Sequence, residues 1–421
     1  MIKTAARLNS GRYVSRLTSG TMAIIMAGGR GERLKELTTG RAKPAAPFGG
    51  KFRIIDFVLS NCVNSGIRQI AVMTQYKAQS LIQHVNRGWG YLRGEFGEFV
   101  DVVPAQQQVG EHWYRGTADC VYQNLDYIRA SRPKHVLVLA GDHIYKMDYG
   151  PLIAYHVEKN ADITIGVVEV PVQDAREFGV LTVTEWNKVV KFTEKPANPD
   201  PIPGREDTAL ASMGIYVFNA ALLERMLIED AANTASQHDF GKNIIPGAID
   251  NLQVFAYPFQ DVKTRAQSYW RDVGTLDAYY DANVELVDVD PELNIYDEQW
   301  PIWTYQVQQP PAKFTSTPEG ARGLIENSMI SGGCIITGAQ VTRSMLFSDV
   351  RVHEGAVVDR SVILPHVEIG RGCVVRNAII DEGVALPDGM RIGLDRELDA
   401  QRFRVTERGV VLVTADMLRD A

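Results

Sequence analysis

The sequence lacks the features of a membrane-embedded or disulfide-stabilised protein. No apolar run in its 421 residues approaches the ~18 that cross a bilayer as a helix. It has only four cysteines, which are widely scattered and form no CxxC pair: Cys62, Cys120, Cys334 and Cys373. Such usage predicts reduced thiols in a cytoplasm and argues against a disulfide framework or a zinc site.

A surplus of positive charge is also missing. The net charge is −7, whereas a nucleic-acid binder needs a basic stripe that neutralises phosphates. We therefore expect neither nucleic acid nor a membrane as partner. A negative net charge is compatible with local basic pockets for a small anionic substrate. Apolar residues make up 45% of the chain and charged residues 23%, an ordinary globular balance. The length predicts two domains of roughly 100–200 residues each.

Acidic residues are absent from the first 31 positions. A transit peptide has such a composition, but no long apolar segment is present, and residues 22–26 resemble the first strand of a core. We favour a short basic extension, residues 1–21, of a cytoplasmic protein over a transit peptide.

Residues 22–290 alternate strand-like and helix-like segments. Four short, nearly continuous apolar runs are typical of strands buried on both faces: residues 23–26, 69–73, 135–139 and 162–168. A helix is predicted over residues 117–128, with Thr117 as N-cap and Val121, Leu125 and Ile128 on one face. The predicted fold class is α/β, with a Rossmann-like, mostly parallel sheet and covering helices.

The spacing of aliphatic residues changes after a proline-rich connector, which we place at residues 291–326. In residues 327–421 they recur at steps of five or six: Ile330, Ile336, Val341, Leu346, Val352, Val358, Ile363, Ile369, Val375, Ile380, Leu386 and Ile392. Every third member lies 17 positions on, as in Leu346, Ile363 and Ile380. This predicts three short strands per coil and a left-handed parallel β-helix, which buries its apolar faces coil on coil. It carries no obvious catalytic constellation, so we expect it to serve oligomerisation and regulation.

A glycine-rich turn, AGGRGERL at residues 27–34, directly follows the first predicted strand. Gly28, Gly29 and Gly31 would let backbone N–H groups approach phosphate oxygens at the start of the next helix. The turn completes neither the GxGxxG pattern of a dinucleotide loop nor the GK[ST] ending of an ATPase loop. Arg33 and Lys43, which follow, suit a leaving pyrophosphate. A tight turn with solvated basic residues is the simpler alternative.

Two aspartates in separate segments could hold a magnesium ion. Asp142 lies just past the end of the predicted strand at residues 135–139, where parallel sheets bind ligands. Asp272 lies far downstream, in WRDVG at residues 270–274. Mg²⁺ on substrate phosphates takes one or two protein carboxylates. Taken alone, either acid is better explained as a helix cap or a member of a surface ion pair. The two acids together with the glycine-rich turn favour a metal site.

Seven motifs in order resemble one family, the bacterial glucose-1-phosphate adenylyltransferases, also called ADP-glucose pyrophosphorylases. They are AGGRGER at 27–33, RAKPA at 41–45, WYRGTAD at 113–119, GDHIY at 141–145, FTEKP at 192–196, ASMGIY at 211–216 and WRDVG at 270–274. The resemblance runs from about residue 22 to the C-terminus and includes the predicted β-helix. It implies AMP transfer from ATP to glucose 1-phosphate, the regulated first step of bacterial glycogen synthesis, by a homotetramer.

The resemblance also implies roles for individual residues. The phosphates of ATP would be held by Arg33 and Lys43, with the glycines of the turn and Gly116, and Mg²⁺ by Asp142 and Asp272. Adenine recognition falls to Gln75 and Trp113. The implied contacts of glucose 1-phosphate are Tyr114, Gly179, Glu194, Lys195 and Ser212.

The family is commonly switched by glycolytic effectors at basic residues near the domain interface. Arg41 and Arg53 match part of that regulatory set. Enteric members, which favour fructose 1,6-bisphosphate, carry Lys, His, Arg and Arg where this chain has Gly40, Pro47, Glu382 and Ala415. We therefore expect fructose 6-phosphate or pyruvate to activate more strongly than the bisphosphate.

Other functions stay open at this point. The nearest is a related nucleotidyltransferase that uses UTP, dTTP or GTP, because its phosphate and metal groups would be nearly the same. A catalytically silent regulatory subunit would not be expected to keep Arg33, Lys43, Asp142, Lys195 and Asp272 together. An acyltransferase would need a longer β-helix with a catalytic histidine, and an NAD dehydrogenase would need the GxGxxG loop.

Overall fold

The computed structural model describes residues 11–29, 31–106, 113–261, 264 and 266–419. The first ten residues of the predicted basic extension, and Arg30 in the glycine-rich turn, lie outside the described residues. The rest of that extension contains the helix Gly11–Ser19, which packs against the helix Tyr149–Glu158. None of the helices in these described ranges is long and apolar enough to span a membrane.

A nine-stranded sheet forms the centre of the first domain. Its strands are Thr21–Met26, Gln69–Thr74, Phe99–Pro104, His135–Ala140, Ile163–Pro171, Gly179–Val183, Val189–Glu194, Thr208–Asn219 and Val254–Pro258. Thr21–Met26 lies in the middle, parallel to both Gln69–Thr74 and His135–Ala140. Successive residues of this strand are buried against opposite faces, Ile24 in one apolar cluster and Ile25 in the other. The predicted α/β class is thereby confirmed.

The long strand Thr208–Asn219 divides the sheet. It runs antiparallel to Ile163–Pro171 along one edge, and to His135–Ala140 and Gly179–Val183 along the other. The strand shifts register between Ser212 and Ile215. The sheet therefore has a parallel half around the glycine-rich turn and a half built mainly on antiparallel pairs, in which Val254–Pro258 runs parallel to Ile163–Pro171.

Helices cover the sheet, and short elements connect to it. The remaining α-helices of this domain are Ile54–Asn64, Gln79–Gly88, Thr117–Tyr122, Leu125–Ser131, Ala220–Ala232, Ile245–Ala248 and Leu276–Val284. Short 3₁₀ helices occur at Glu32–Thr38, Lys43–Ala45, Gly94–Phe96, Asp174–Glu177 and Glu285–Val287, and a π-helical turn occurs at Phe240–Ile244. Two small ladders pair Pro47–Phe48 with Phe52–Arg53, and His143–Tyr145 with Trp270–Asp272.

The single helix predicted over residues 117–128 is instead two helices, Thr117–Tyr122 and Leu125–Ser131. Asn124 interrupts it, because its side chain donates to the Cys120 carbonyl at 2.7 Å and competes with the helical backbone. The N-cap prediction was also wrong, since Gly116 occupies that position. Thr117 Oγ instead donates to Asp239 and accepts from the Phe240 N–H, both at 3.0 Å.

The second domain is a parallel β-helix of three sheets. The first sheet contains Lys313–Thr315, Ile335–Thr337, Arg351–Val352, Glu368–Ile369 and Ala385–Leu386. The second contains Leu324–Glu326, Gln340–Thr342, Val357–Asp359, Val374–Arg376 and Arg391–Ile392. The third contains Met329–Ile330, Met345–Leu346, Val362–Ile363, Ala378–Ile380, Val411–Val413 and Arg404–Val405. The helices Arg396–Arg402 and Ala415–Arg419 close the C-terminal end.

The predicted 17-residue registers are confirmed as stacked neighbours. Leu346 pairs with Ile363 and Ile363 with Ile380 on one face. The same holds for Val352, Ile369 and Leu386, and for Val358, Val375 and Ile392. All nine side chains are at most 3% exposed, so each coil buries its neighbours' aliphatic residues.

The domain boundaries stay predictions, but the β-helix starts earlier than residue 327. Lys313–Thr315 and Leu324–Glu326, inside the predicted connector, already pair with later strands of two of its sheets. The prolines of this stretch favoured a connector over strands, because proline usually marks loops and sheet edges. The first coil was therefore not predicted. The connector proper packs on the first domain, where Trp300 Nε1 donates to Asn61 and Thr304 Oγ to Asp56.

Candidate active site

A cavity of about 540 Å³ opens at the carboxyl ends of three parallel strands. Met26, Met73 and Ala140 line it from the ends of those strands. The other lining residues are Gly28, Gly29, Gly31, Arg33, Lys43, Pro44, Gln75, Tyr114, Gly116, Thr117, Cys120, Asp142 and Gly274. The site thus lies where open parallel sheets bind ligands.

The glycine-rich turn forms one wall of this cavity. Its backbone is tied to the sheet by the Ala27 N–H, which donates to the Met73 carbonyl at 2.9 Å. Gly31 has a φ of 65°, in the left-handed region, and precedes the short helical turn Glu32–Thr38. A Cβ at Gly31 would also lie 3.2 Å from Lys43 Cβ, so glycine is required by conformation and by space. Gly28, Gly29 and Gly31 all line the cavity, so these described residues of the turn present their backbone to it.

Lys43 bridges the two predicted metal ligands. Its Nζ donates to Asp142 at 2.9 Å and to Asp272 at 2.8 Å. Burial alone would lower the pKa of Lys43, but the two carboxylates outweigh it and raise that pKa. Burial alone would raise the pKa of Asp142 and Asp272, and Lys43 holds both below their ordinary value. The site therefore keeps one cation and two anions in direct contact.

The geometry fits a small divalent cation. Ligand atoms of Asp142, His143 and Asp272 lie within 4.8 Å of one another. His143 Nδ1 lies 3.2 Å from the Met213 carbonyl, which leaves Nε2 on the side of Asp142 and Asp272. The Asp142 side chain is 36% exposed, so an ion can reach it from the cavity. Carboxylate oxygens are the protein ligands that Mg²⁺ prefers.

Arg33 lies at the edge of the same cavity. Its Nη2 donates to Asp272 at 3.2 Å, and its Nη1 donates to Glu177 at 2.7 Å. Arg33 is predictable from the sequence but Glu177 is not, because 144 residues separate them and nothing in the local pattern marks that glutamate. His143 was likewise present in a motif without a role.

Glu194 and Gly179 lie opposite each other in the hairpin at the edge of the sheet. A Cβ at Gly179 would clash with Phe192 Cζ and meet Glu194 Oε2 at 2.9 Å, so glycine makes room for both the ring and the carboxylate. Burial and the neighbouring Asp239 raise the pKa of Glu194. Lys195, with a φ of 46°, follows directly and turns the chain out of the strand.

Ser212 is buried on the adjoining strand, where its Oγ lies 3.2 Å from the Tyr216 hydroxyl. In the described part of the chain, neither Ser212, Glu194, Lys195 nor Gly179 lines the 540 Å³ cavity. Four of the five predicted sugar-phosphate residues therefore belong to the antiparallel half of the sheet and do not line the cavity, whereas the fifth, Tyr114, does.

The segment around Tyr114 joins the two groups. Tyr114 accepts a hydrogen bond from Asn124 Nδ2 at 2.9 Å, and Gln75 Nε2 donates to the Tyr114 carbonyl at 3.5 Å. Gly116 packs so closely on the backbone of residues 237–238 that a Cβ would lie 2.6 Å from the Gln237 carbonyl oxygen. Gln75, Tyr114 and Gly116 line the cavity, whereas Trp113 is 52% exposed and does not.

The two predicted regulatory residues lie at the domain interface instead. Arg41 Nη2 donates to Asp381 at 2.6 Å and Nη1 donates to Glu382 at 3.2 Å, both in the β-helix. Arg53 donates to the Ser80 carbonyl at 3.2 Å, and burial lowers its pKa. Glu382, which stands where enteric members carry Arg, is thus an ion-pair partner of Arg41 here.

Comparison with known families agrees with this arrangement of two domains. Residues 22–289 match the nucleotidyl transferase family. Residues 310–413 match the GlmU-like C-terminal hexapeptide family, whose match begins near the first strand of the β-helix.

Curated relatives resemble the chain over nearly its whole length. A glucose-1-phosphate adenylyltransferase of Methylococcus capsulatus is 59% identical over 409 residues, which cover 97% of this chain and 96% of the relative. One from Nitrosococcus oceani is 59% identical over 410 residues, 97% of each chain. Glucose-1-phosphate adenylyltransferase 2 of Alkalilimnicola ehrlichii is 60% identical over 409 residues, again 97% of each chain. The chain belongs to the glucose-1-phosphate adenylyltransferase family of nucleotidyl transferases.

Proposed function

We propose that this protein transfers AMP from ATP to α-D-glucose 1-phosphate and so forms ADP-glucose and pyrophosphate. The observation that carries the proposal is the contact of Lys43 with Asp142 and Asp272 beside the glycine-rich turn. Two cationic side chains, Lys43 and Arg33, and a candidate metal site thus lie at one cavity. The names of relatives that are 59–60% identical support the same reaction.

The reaction is a single displacement at phosphorus. A phosphate oxygen of glucose 1-phosphate attacks the α-phosphorus of ATP, a new P–O bond forms, and the bond to the β-phosphate oxygen breaks as pyrophosphate leaves. Such a transfer needs positioning and charge neutralisation more than covalent catalysis. Lys43, Arg33 and the N–H groups of the turn would neutralise the departing pyrophosphate.

Asp142 and Asp272 would hold Mg²⁺, with His143 beside them, and the bound ion would neutralise phosphate charge. Lys43 balances these two carboxylates, so the site avoids an uncompensated pair of neighbouring anions.

Glucose 1-phosphate would be held by the group in the antiparallel half of the sheet. Glu194 would accept hydrogen bonds from sugar hydroxyls, and Lys195 would pair with the phosphate. Tyr114, Gly179 and Ser212 complete the proposed sugar site. Gln75 and Trp113 are the proposed contacts of adenine, and only Gln75 of the two lines the cavity.

A nucleotide panel tests the proposal. Purified protein is incubated with glucose 1-phosphate, Mg²⁺ and ATP, UTP, dTTP or GTP in turn, and pyrophosphate release is measured. Release that is fastest with ATP supports the proposal. A preference for another nucleotide would make the protein a different sugar-nucleotide transferase, and no release with any of the four would favour a silent regulatory subunit.

Asp142→Asn tests the metal role. The substitution keeps the size of the side chain but removes a charge, so we expect kcat to fall by at least ~10²-fold, as for the loss of a preorganised electrostatic contact. The far-UV circular dichroism spectrum should stay unchanged. A folded variant with near-normal turnover would contradict the metal role.

Regulation and assembly follow from the family. The proposed enzyme is a cytoplasmic homotetramer in bacterial glycogen synthesis, with effector contacts at Arg41 and Arg53. The Glu382 carboxylate pairs with the Arg41 guanidinium, so fewer of its N–H donors are available to a bisphosphate. This supports the expectation that a bisphosphate binds weakly. Activation assays should rank fructose 6-phosphate or pyruvate above fructose 1,6-bisphosphate, and the opposite order would contradict this proposal.

A further inference from the structure

Arg33 is the only one of the two proposed phosphate-binding cations that connects the two halves of the site. It comes from the loop after the first strand, and its guanidinium reaches both Asp272 and Glu177. Glu177 ends the helical turn Asp174–Glu177, two residues before Gly179 on the sugar side. The ion pair of Arg33 with Glu177 therefore spans the edge of the cavity, from the pyrophosphate side to the sugar side.

The two carboxylates that hold Arg33 have different surroundings. Asp272 is 11% exposed and is shared with Lys43 at 2.8 Å, in the cluster that fits a divalent cation. Glu177 is 56% exposed and lies outside that cluster. A cation at Asp272 would leave Glu177 as the carboxylate partner of the guanidinium and would free Nη2 for a phosphate.

Space for this arrangement depends on Gly274. A Cβ at that position would lie 2.8 Å from Arg33 Nη2 and 2.9 Å from both carboxylate oxygens of Asp272. The guanidinium is thus confined between a glycine backbone on one side and Glu177 on the other. A planar guanidinium with several N–H donors can hold a carboxylate and a phosphate at once, which an ammonium group does less well.

We propose that Glu177 is a positioning residue, which holds Arg33 at the edge of the cavity in the orientation that receives the polyphosphate. This inference rests on the proposed function. Without Glu177, Asp272 is the remaining carboxylate partner of Arg33 in this contact, so the guanidinium turns towards Asp272. There it competes with the divalent cation and faces away from the phosphates.

The test is Glu177→Gln, which keeps the shape but removes the charge. We expect KM for ATP, and KM for pyrophosphate in the reverse reaction, to rise about two- to fivefold, the size of a partly exposed ion pair. KM for glucose 1-phosphate should stay unchanged, because Glu177 does not act on the sugar. Asp174→Asn, on the same turn, is the control that also removes one negative charge. It should change neither the KM for ATP nor the KM for pyrophosphate. Glu177→Asp, which keeps the charge, should return the KM for ATP part of the way to the parent value.

A double-mutant cycle shows whether Glu177 acts through Arg33. In an Arg33→Gln background, Glu177→Gln should cause no further change in the KM for ATP. An equal effect in both backgrounds, or a Glu177→Gln variant that binds ATP as well as or better than the parent, would overturn the proposal.

Calorimetric titration with magnesium pyrophosphate separates this inference from the proposed function. If the parent protein makes no ADP-glucose but binds pyrophosphate, and Glu177→Gln weakens that binding, the proposed function fails and the role of Glu177 stands. If the parent makes ADP-glucose and the variant binds pyrophosphate equally well, only the role of Glu177 fails.

Discussion

Lys43 shows how a single side chain can prepare a site for a metal and a polyanion. Two carboxylates in contact with it would repel each other strongly if the ammonium were absent, because the site is only partly hydrated. The lysine is 5% exposed and donates to both, so it supplies the compensating charge within the protein. The same charge is available to phosphates once a cation occupies the carboxylates.

Lys43→Ala should therefore affect stability as well as activity. We expect the free energy of unfolding to fall by about 1–3 kcal/mol, less than the ~3–5 kcal/mol for breaking a fully buried pair, because Asp142 is partly exposed. Added Mg²⁺ should raise the Tm of this variant more than that of the parent, since the ion would replace the missing positive charge and binds only the folded state. Equal Mg²⁺ responses in a thermal-shift experiment would count against a shared binding place.

Among elements, the segment from Tyr114 to the helix Thr117–Tyr122 determines how the two halves of the site meet. The Ala118 N–H donates to the His238 carbonyl at 2.9 Å, and Thr117 is bonded to Asp239. These contacts fix the cavity wall next to the residues that precede the turn Phe240–Ile244.

Gly116→Ala probes that junction. The new methyl group would meet the Gln237 carbonyl oxygen at 2.6 Å, and backbone atoms cannot rotate away as a side chain can. We expect a loss of about 1–3 kcal/mol in the free energy of unfolding, as for overpacking, together with reduced activity. Gly94→Ala is the control, because a Cβ there meets nothing within 4 Å. Denaturant unfolding of the two variants makes the comparison.

Asp119 links this segment to acid stability. It accepts hydrogen bonds from the Arg115 side chain at 3.1 Å and from Gln123 at 2.9 Å. Burial alone would raise its pKa, but the bonds from Arg115 and Gln123 lower it below the ordinary value of 3.8. A carboxylate with a lowered pKa stabilises the fold above that value, and this stabilisation is lost as the pH falls through the lowered pKa.

Between pH 7 and pH 3 the parent should therefore lose more stability than Asp119→Asn does, although the variant is less stable at pH 7. Urea unfolding at each pH measures the difference. Parallel pH curves for the two proteins would show that Asp119 does not contribute to acid sensitivity.

At the scale of the whole molecule, the two domains share one apolar cluster. Tyr279, Tyr280 and Leu286 from the first domain pack in it with Val362 and Leu364 of the β-helix. Tyr280 also donates its hydroxyl hydrogen bond to the Arg360 carbonyl at 2.6 Å. Two domains that complete each other's core in this way should unfold together.

Leu364→Ala tests this coupling. The side chain is fully buried at the interface, so its truncation should cost about 2–5 kcal/mol. All six tryptophans precede residue 304, and their fluorescence therefore reports on the first domain and connector. We expect the tryptophan transition and the circular-dichroism transition to shift together in the variant. A shift in circular dichroism alone would mean that the domains unfold independently.

Periodic patterns made much of the architecture predictable. The stacking of Leu346 on Ile363 follows from spacing alone, because each coil repeats the same three faces. The buried strands around Ile24 and Val138 were predictable from the sequence for a similar reason, since continuous apolar runs occur where both faces of a sheet are covered. Failures came where side chains override the pattern, as when Asn124 ends one helix and starts another.

Local sequence determined the chemistry that each segment of this protein can offer: glycines for a backbone close to phosphates, Lys43 and Arg33 as cations, and aspartates at the ends of strands. Tertiary structure alone decided which of these meet. Asp272 reaches Lys43 across 229 residues and Glu177 reaches Arg33 across 144, and the Arg41 pair with Asp381 depends on how two domains pack. The physical reason is that propensity and periodicity act over a few residues, whereas contacts between distant charges are set by the packing of the apolar surfaces that carry them.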